Sequence, residues 1–287
     1  MSYKSLHAGY PALFVVLWST GFIGAKLGLP YAEPLTFLSL RFALVLAILL
    51  PVCWLAGARW PGPGAAMHMA IAGVLLQGGY LGGVFLSLHH GMPAGVSALI
   101  TGLQPVLTAI AGGLLLGERT SARQWLGLLL GFGGVLLVVW DRMAMQHLGM
   151  AAVLFSVLGL LSITLGTVWQ KRHGGAVDLR SGAALQFIAA ALVLLPFAFA
   201  FETREVRWSG EFAFALAWLV LVLSLGAIFL LLHLIRRGAA TRVASLFYLV
   251  PPTTALFAWL LFGETYTWLA AGGMALGMLA VWLVTKP

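Results

Sequence analysis

Long runs of apolar residues, separated by short polar segments, follow one another along the whole chain. Strands of a membrane β-barrel are about ten residues long and alternate strictly, whereas these runs are longer and do not alternate. A transmembrane helix needs about 20 mostly apolar residues. The pattern therefore predicts ten transmembrane helices, here called spans 1 to 10, over residues 10–30, 35–57, 66–88, 93–116, 122–140, 147–171, 180–201, 210–235, 239–262 and 267–285.

The composition agrees with this prediction. Of the 287 residues, 61% are hydrophobic and 8% are charged, against about 25% charged residues in an average soluble domain. So few charges cannot solvate a protein surface, which excludes a soluble enzyme, a nucleic-acid-binding protein and a disordered regulator. Cys53 is the single cysteine, which excludes disulfides and cysteine-rich metal sites. The sequence predicts an all-α membrane protein that contacts the lipid bilayer and needs no cofactor or metal.

The basic residues predict the orientation of the chain. If the N-terminus is cytoplasmic, eleven of the 16 Lys and Arg residues lie in inner loops, and four lie in outer loops (Lys26, Arg142, Arg204 and Arg207). Arg41 lies inside span 2. Cytoplasmic loops carry the excess of Lys and Arg, so both termini are expected in the cytoplasm. The first span is interpreted as retained, since no small-residue cleavage site follows it.

The two halves of the chain resemble each other. Leu114-Leu115-Leu116-Gly117-Glu118 matches Leu260-Leu261-Phe262-Gly263-Glu264, and a proline precedes each glycine by twelve residues. The prolines are Pro105 and Pro251, and these pairs are 146 residues apart. Pairs nearer each repeat's start are 145 apart: Lys26 and Lys171, Glu33 and Asp178, Phe42 and Phe187, Pro51 and Pro196. Because polar and helix-breaking residues match, we predict two repeats, residues 1–145 and 146–287.

Each repeat has an odd number of spans, so the second repeat must enter the membrane in the opposite sense. The loop charges agree: Arg119 and Arg123 lie in the loop after span 4, whereas its counterpart after span 9, residues 264–267, has neither Lys nor Arg. Inverted repeats are typical of secondary transporters, whose two halves move about a site near the midplane. The sequence thus favours alternating access through a central cavity.

The two copies of Pro-x₁₁-Gly-Glu, the Arg41-Phe42 pair and the five-plus-five plan resemble the EamA family of the drug/metabolite transporter superfamily. Within that family the sequence resembles YddG-type exporters of aromatic and other amino acids. The resemblance covers essentially the whole chain. It implies a carrier in the bacterial inner membrane, with a cavity lined by spans 1, 3, 4, 6, 8 and 9. Ten spans can enclose a pathway within one chain, so a monomer is expected.

Polar residues at helical spacing mark three of these spans, where they would be costly against lipid. They either face a wet cavity or bond neighbouring helices. With Trp18, deep in span 1, and Trp169, toward the inner end of span 6, the candidate cavity residues are Gln77, Tyr80, Thr101, Gln104, Ser245 and Tyr248. Trp169 also fits an interfacial belt.

Pro105 and Pro251 lie near the centres of spans 4 and 9 and are candidate hinges or gates, or else static kinks. His233, near the inner end of span 8, could titrate near neutral pH. Arg41 either pairs structurally or extends toward the outer surface, although a charge inside a span marks a functional site by default.

The missing residue types define the expected substrate. Asp and Glu are absent from the interior of every predicted span, although ion-coupled carriers generally need such a carboxylate. Phosphorylated substrates would call for several cavity Lys or Arg residues. A neutral or zwitterionic metabolite such as an amino acid, moved by facilitation, fits best. The alternatives are a carrier of drugs or nucleosides and, more remotely, an intramembrane enzyme, whose clustered nucleophile and base are missing.

Overall fold

The computed structural model describes residues 3–116, 121–144, 148–175, 177–227 and 249–285. These residues are almost entirely helical. The α-helices are α1 Tyr3–Gly28, α2 Pro34–Leu55, α3 Pro63–Gly73, α4 Tyr80–His89, α5 Ala94–Gly102, α6 Gln104–Leu116, α7 Ala122–Ala144, α8 Met150–His173, α9 Leu179–Phe201, α10 Gly210–Ala217, α11 Val250–Phe262 and α12 Trp268–Thr285. Two further segments are π-helical: Val74–Gly79, which we call the first π segment, and Trp218–Ala227, which we call the second π segment.

The predicted all-α fold of ten transmembrane helices is confirmed. In the described residues, five helical segments are long and apolar enough to cross a membrane: Pro34–Leu55, Pro63–His89, Ala122–Asp141, Met150–His173 and Leu179–Phe201. Five shorter apolar segments correspond to spans 1, 4, 8, 9 and 10. The helix of span 1 begins earlier than predicted, at Tyr3. Residues 228–248, the end of predicted span 8 and the start of span 9, lie outside the description.

Helices α2 and α9, which are spans 2 and 7, pack against each other in opposite directions. At one end, the Glu202 carboxylate after α9 accepts hydrogen bonds at 2.7 Å from the backbone N–H groups of Leu35 and Thr36, in the first turn of α2. Glu33, before α2, in turn accepts one from the backbone N–H of Thr203 at 2.6 Å. These bonds satisfy helix-end donors that have no partner within their own helix.

At the other end, the start of α9 contacts the end of α2. The Arg180 guanidinium donates to the Ala56 carbonyl at 3.0 Å, and the Ser181 hydroxyl donates to the Arg59 carbonyl at 2.7 Å. Asp178 caps α9, and its hydrogen bonds with Arg180 hold the pKa of its carboxyl well below the usual range. Corresponding helices of the two repeats therefore run antiparallel, as an inverted repeat requires.

Phe42 and Phe187 occupy equivalent positions in the two repeats and touch each other. Their ring centroids are 5.5 Å apart, and they are 0% and 2% exposed. Equivalent residues can meet only close to the axis that relates the two copies, so the pseudo-two-fold axis passes between these rings. The equivalent helices α7 and α12 also pack together, and α5 of span 4 packs on α11 of the equivalent span 9. The repeats are thus interleaved, and the main core includes residues of both halves.

Candidate functional site

Span 4 is divided at Leu103, where α5 has ended and α6 has not yet begun. Gln104 is the first residue of α6, and Pro105 lies in its first turn, where a proline's missing N–H costs little. Helix α11 begins at Val250, 146 residues after Gln104, and Pro251 lies in its first turn. The two prolines, predicted near the centres of spans, therefore each lie at the start of a described helix, at equivalent positions of the two repeats.

The residues that begin α6 and α11 are each contacted by a hydroxyl from the other repeat. The Gln104 amide donates to Thr108 at 3.0 Å and to Thr167 of α8 at 3.2 Å. The hydroxyl of Ser19, in α1, lies 3.3 Å from the Val250 carbonyl oxygen. Spans 6 and 1, the first spans of the two repeats, thus each contact the start of a helix in the other repeat, at the Gln104 side chain and at the Val250 backbone.

The π segments also occupy equivalent places, in spans 3 and 8. Adding the repeat offset of 145 to the residue numbers of the first π segment gives residues 219–224, which lie inside the second π segment. A π-helix widens the turn, and short π-helical stretches are found frequently at functional sites. Both segments contact the first span of a repeat: the second packs on α1, and the first packs on α8.

Two predicted cavity residues are associated with the first π segment. Gln77 lies within it and is partly buried, and in the described part of the chain its side chain has no hydrogen-bond partner. Tyr80 follows directly as the first residue of α4, is also partly buried, and lies within electrostatic range of the Arg41 guanidinium. An amide and a phenol thus lie at the widened part of span 3.

Trp18 packs against the apolar core, and Thr101 forms hydrogen bonds within its own helix. Trp18 is partly buried in α1, packs against the main core, and has its ring centroid 5.3 Å from that of Phe14. Thr101 is 6% exposed, and its hydroxyl donates to the Ser97 carbonyl of its own helix at 2.8 Å. The donor of Thr101 is therefore satisfied within α5, whereas Gln104 bonds across helices.

Trp169 forms an aromatic cluster with two histidines. The His68 and His173 rings are stacked with centroids 4.0 Å apart, and the Trp169 ring lies 4.5 Å from His173. Two atoms of this cluster, Trp169 Nε1 and His68 Nδ1, are buried without a hydrogen-bond partner among the described residues. The cluster joins α3 and α8 near the ends of spans 3 and 6 and supplies polar atoms inside an apolar interface.

The span ends near Lys26 are held together by one carboxylate. Glu264 follows α11, forms a salt bridge with Lys26 at the end of α1, and accepts a hydrogen bond from the Ala94 backbone N–H at 2.9 Å. The Tyr266 hydroxyl also donates to Glu264. Spans 1, 4 and 9 are therefore closed together at this end, which we call the Lys26–Glu264 contact.

Three predicted residues, Ser245, Tyr248 and His233, lie outside the described residues. Among the rest, the structure connects Gln104 with Thr167, and Tyr80 with the surroundings of Arg41. Thr167 was missed from the sequence because threonines are common in membrane helices and nothing marks this one. Arg41 was assigned a structural role, although it carries the strongest signal, a charge within a span.

This arrangement is suited to binding rather than to covalent chemistry. Among the described residues, no three His, Cys, Asp or Glu side chains are placed to hold a metal ion. The polar groups at the centre are amides, hydroxyls, a phenol and the Arg41 guanidinium, which form reversible hydrogen bonds. Inverted repeats around interrupted helices define the molecule as a membrane carrier.

Comparison with known proteins gives the same class. The model of the EamA-like transporter family matches residues 9–140 and 150–286, once in each half. The chain belongs to this family. It is therefore a multi-pass membrane transporter whose family domain is duplicated.

Relatives along the full length are also transporters by name. "Uncharacterized transporter YvbV" of Bacillus subtilis is 28% identical over 95% of this chain and 89% of its own length. "Uncharacterized inner membrane transporter YedA" of Escherichia coli is 25% identical over 99% and 93%. "Probable amino-acid metabolite efflux pump" of Salmonella typhimurium is 26% identical over 94% and 92%.

A solved structure shares the fold. It superposes with a TM-score of 0.66 at 20% identity and covers 99% of this chain and 98% of its own. At that identity the likeness concerns the fold alone.

Proposed function

We propose that this protein carries amino acids or similar neutral or zwitterionic metabolites across the bacterial inner membrane by facilitated alternating access, in the direction of export. The Gln104 amide carries the proposal, since it lies at the break in span 4, is partly buried, and is held by Thr108 and by Thr167 of the other repeat. Its carbonyl oxygen suits a substrate ammonium group without placing a charge in the membrane. The Salmonella relative's name supports the substrate class.

The charge inventory supports facilitation. Of the 8 acidic residues, all but Glu118 lie in the described part of the chain, at helix ends or in loops. None of these seven lies deep in a span, where proton- and cation-coupled carriers generally hold a carboxylate. The bound substrate would then move down its own gradient.

Alternating access is supported by the repeat of the Lys26–Glu264 contact in the sequence. Lys26 of the first repeat matches Lys171 of the second, and Glu264 of the second repeat matches Glu118 of the first. In an inverted repeat these two residues belong to the opposite end of the molecule. The sequence thus carries the residues of this contact once for each end, as expected of a carrier that closes its two ends in turn.

Uptake into proteoliposomes tests the proposal. We expect saturable uptake of radiolabelled phenylalanine, methionine and threonine above that of protein-free liposomes, with the same plateau with and without a pH gradient. The lack of a buried carboxylate in the described spans is the physical reason for an unchanged plateau.

The other outcomes separate the alternatives. Accumulation above the outside concentration, driven by the pH gradient, would contradict facilitation and point to a histidine as the coupling group. If correctly folded protein takes up none of the three amino acids, the assignment fails, and labelled nucleosides and lipophilic drugs become the substrates to test.

A further inference from the structure

Arg41 is a buried guanidinium without a counter-ion in the described part of the chain. It is 6% exposed and lies in α2 seven residues after Pro34, roughly 10 Å from the start of that helix at about 1.5 Å per residue. The carboxylates of the described residues are bonded elsewhere or lie in loops, as Glu33, Glu202 and Glu264 illustrate. A charge placed in a membrane span without a partner marks a functional site.

The bonds of Arg41 position its charge without neutralising it. Nε and Nη2 donate to the Ser224 hydroxyl at 3.1 and 3.0 Å, and Ser224 in turn donates to the Leu219 carbonyl at 3.0 Å. A guanidinium has five N–H donors. In the described residues, no other oxygen accepts a hydrogen bond from Arg41. Its charge is thus fixed in place, with donors left for another group.

The surroundings of Arg41 come from both repeats. Ser224 lies in the second π segment, and Tyr80 directly follows the first. Arg41 immediately precedes Phe42, whose contact with Phe187 marks the pseudo-two-fold axis. The guanidinium is therefore close to the axis about which the halves of an inverted-repeat carrier move, which is where such carriers bind their substrates.

The second repeat shows that the fold does not require a charge at this position. Gln186 precedes Phe187 as Arg41 precedes Phe42, 145 residues earlier. The Gln186 amide donates to the Gln170 side chain at 2.8 Å, so it is neutral and paired. The same scaffold position thus holds a satisfied amide in one repeat and an uncompensated cation in the other. Helix packing alone explains the amide but not the cation.

We infer that Arg41, positioned by Ser224, binds the carboxylate of the substrate. This inference rests on the proposed function and narrows it to carboxylate-bearing metabolites. Guanidinium and carboxylate groups form two parallel charge-assisted hydrogen bonds. A zwitterionic amino acid then presents its carboxylate to Arg41 and its ammonium group to uncharged acceptors such as the Gln104 amide oxygen.

Two shape-matched probes test the inference on the full-length protein in detergent micelles. They are 3-phenylpropionate, which carries a carboxylate, and its neutral amide, 3-phenylpropionamide, with binding measured by isothermal titration calorimetry. We expect the wild type to bind the carboxylate at least about tenfold more tightly than the amide. Arg41→Gln, which copies the residue of the second repeat, should remove that preference. Arg41→Lys should keep it with weaker binding, because a point charge cannot form the paired bonds.

A matched control removes a charge elsewhere. Arg59→Gln, in the loop after α2, should keep the wild-type preference. Folded Arg41→Gln protein that still prefers the carboxylate would overturn the inference. If Arg41→Gln does not fold, wild-type protein that binds both probes equally overturns it, and Ser224→Ala, which frees the guanidinium from its anchor, should weaken carboxylate binding.

The probes also separate this inference from the proposed function. Wild-type uptake of phenylalanine, with carboxylate binding that does not depend on Arg41, overturns the inference alone. An Arg41-dependent carboxylate preference in a protein that takes up no amino acid supports the inference and overturns the amino-acid assignment.

Discussion

Gly273→Ala is expected to destabilise the protein by about 1–3 kcal/mol, the cost typical of extra volume in a well-packed core. A β-carbon at this position would lie 2.5 Å from the Gly134 carbonyl oxygen and 2.5 Å from a Val138 methyl group. The obstacle includes backbone, which cannot rotate away as a flexible side chain can. Helices α7 and α12 would have to separate. Thermal unfolding in detergent, followed by circular dichroism, should show a lower midpoint.

The neighbouring glycine provides the control. Gly272 lies in the same helix, and a β-carbon there would meet no atom within 4 Å among the described residues. Gly272→Ala should leave the midpoint unchanged or raise it, since alanine favours a helix by up to about 1 kcal/mol over glycine. Equal midpoints for the two variants would show that α7 and α12 do not approach each other at Gly273.

Gln104→Leu is expected to lower amino-acid uptake about fivefold or more while the protein still folds. The leucine side chain is similar in volume but supplies neither the bond to Thr167 nor the amide oxygen proposed for the substrate ammonium group. Loss of one buried hydrogen-bond partner costs about 1–3 kcal/mol, and 1.4 kcal/mol is a tenfold change. Initial uptake rates in proteoliposomes, normalised to folded protein, measure the effect.

Thr164→Val is the control for this loss of a hydrogen bond. Thr164 and Thr167 both lie in α8 and donate their hydroxyls to carbonyls of that helix at 2.7 Å, but among the described residues only Thr167 also accepts a hydrogen bond from Gln104. The valine variant should transport at close to the wild-type rate. Wild-type uptake by folded Gln104→Leu would place the substrate away from the start of α6.

The spans and the inversion of the second repeat could be predicted because they follow from the lengths and the number of apolar runs. Apolar run length defines a membrane helix, and an odd number of spans per repeat forces inversion. Pro105 pointed to the interruption in span 4 because a proline has no backbone N–H to donate within a helix and its ring clashes with the preceding turn. The break itself lies at Leu103, two residues before Pro105, which is in the first turn of α6.

The long-range partners could not be predicted. Glu264 directly precedes span 10 in the sequence, but it contacts Lys26 and the start of α5, far away in the chain. The π segments have no signal in an apolar sequence, because one widened turn changes neither composition nor periodicity noticeably. The Arg41–Ser224 bond joins spans 2 and 8, and only the packing of the two repeats decides which serine Arg41 reaches.

Counterflow tests the central claim, alternating access of an amino acid through this chain, most directly. Proteoliposomes are loaded with unlabelled phenylalanine and diluted into a trace of labelled phenylalanine without any ion gradient. A carrier that exposes its site to one side at a time exchanges the two, so the label should rise transiently above its equilibrium level and then fall. A monotonic rise to equilibrium would indicate a channel-like pathway, and label no higher than in protein-free liposomes would show that phenylalanine is not carried; either result contradicts the account.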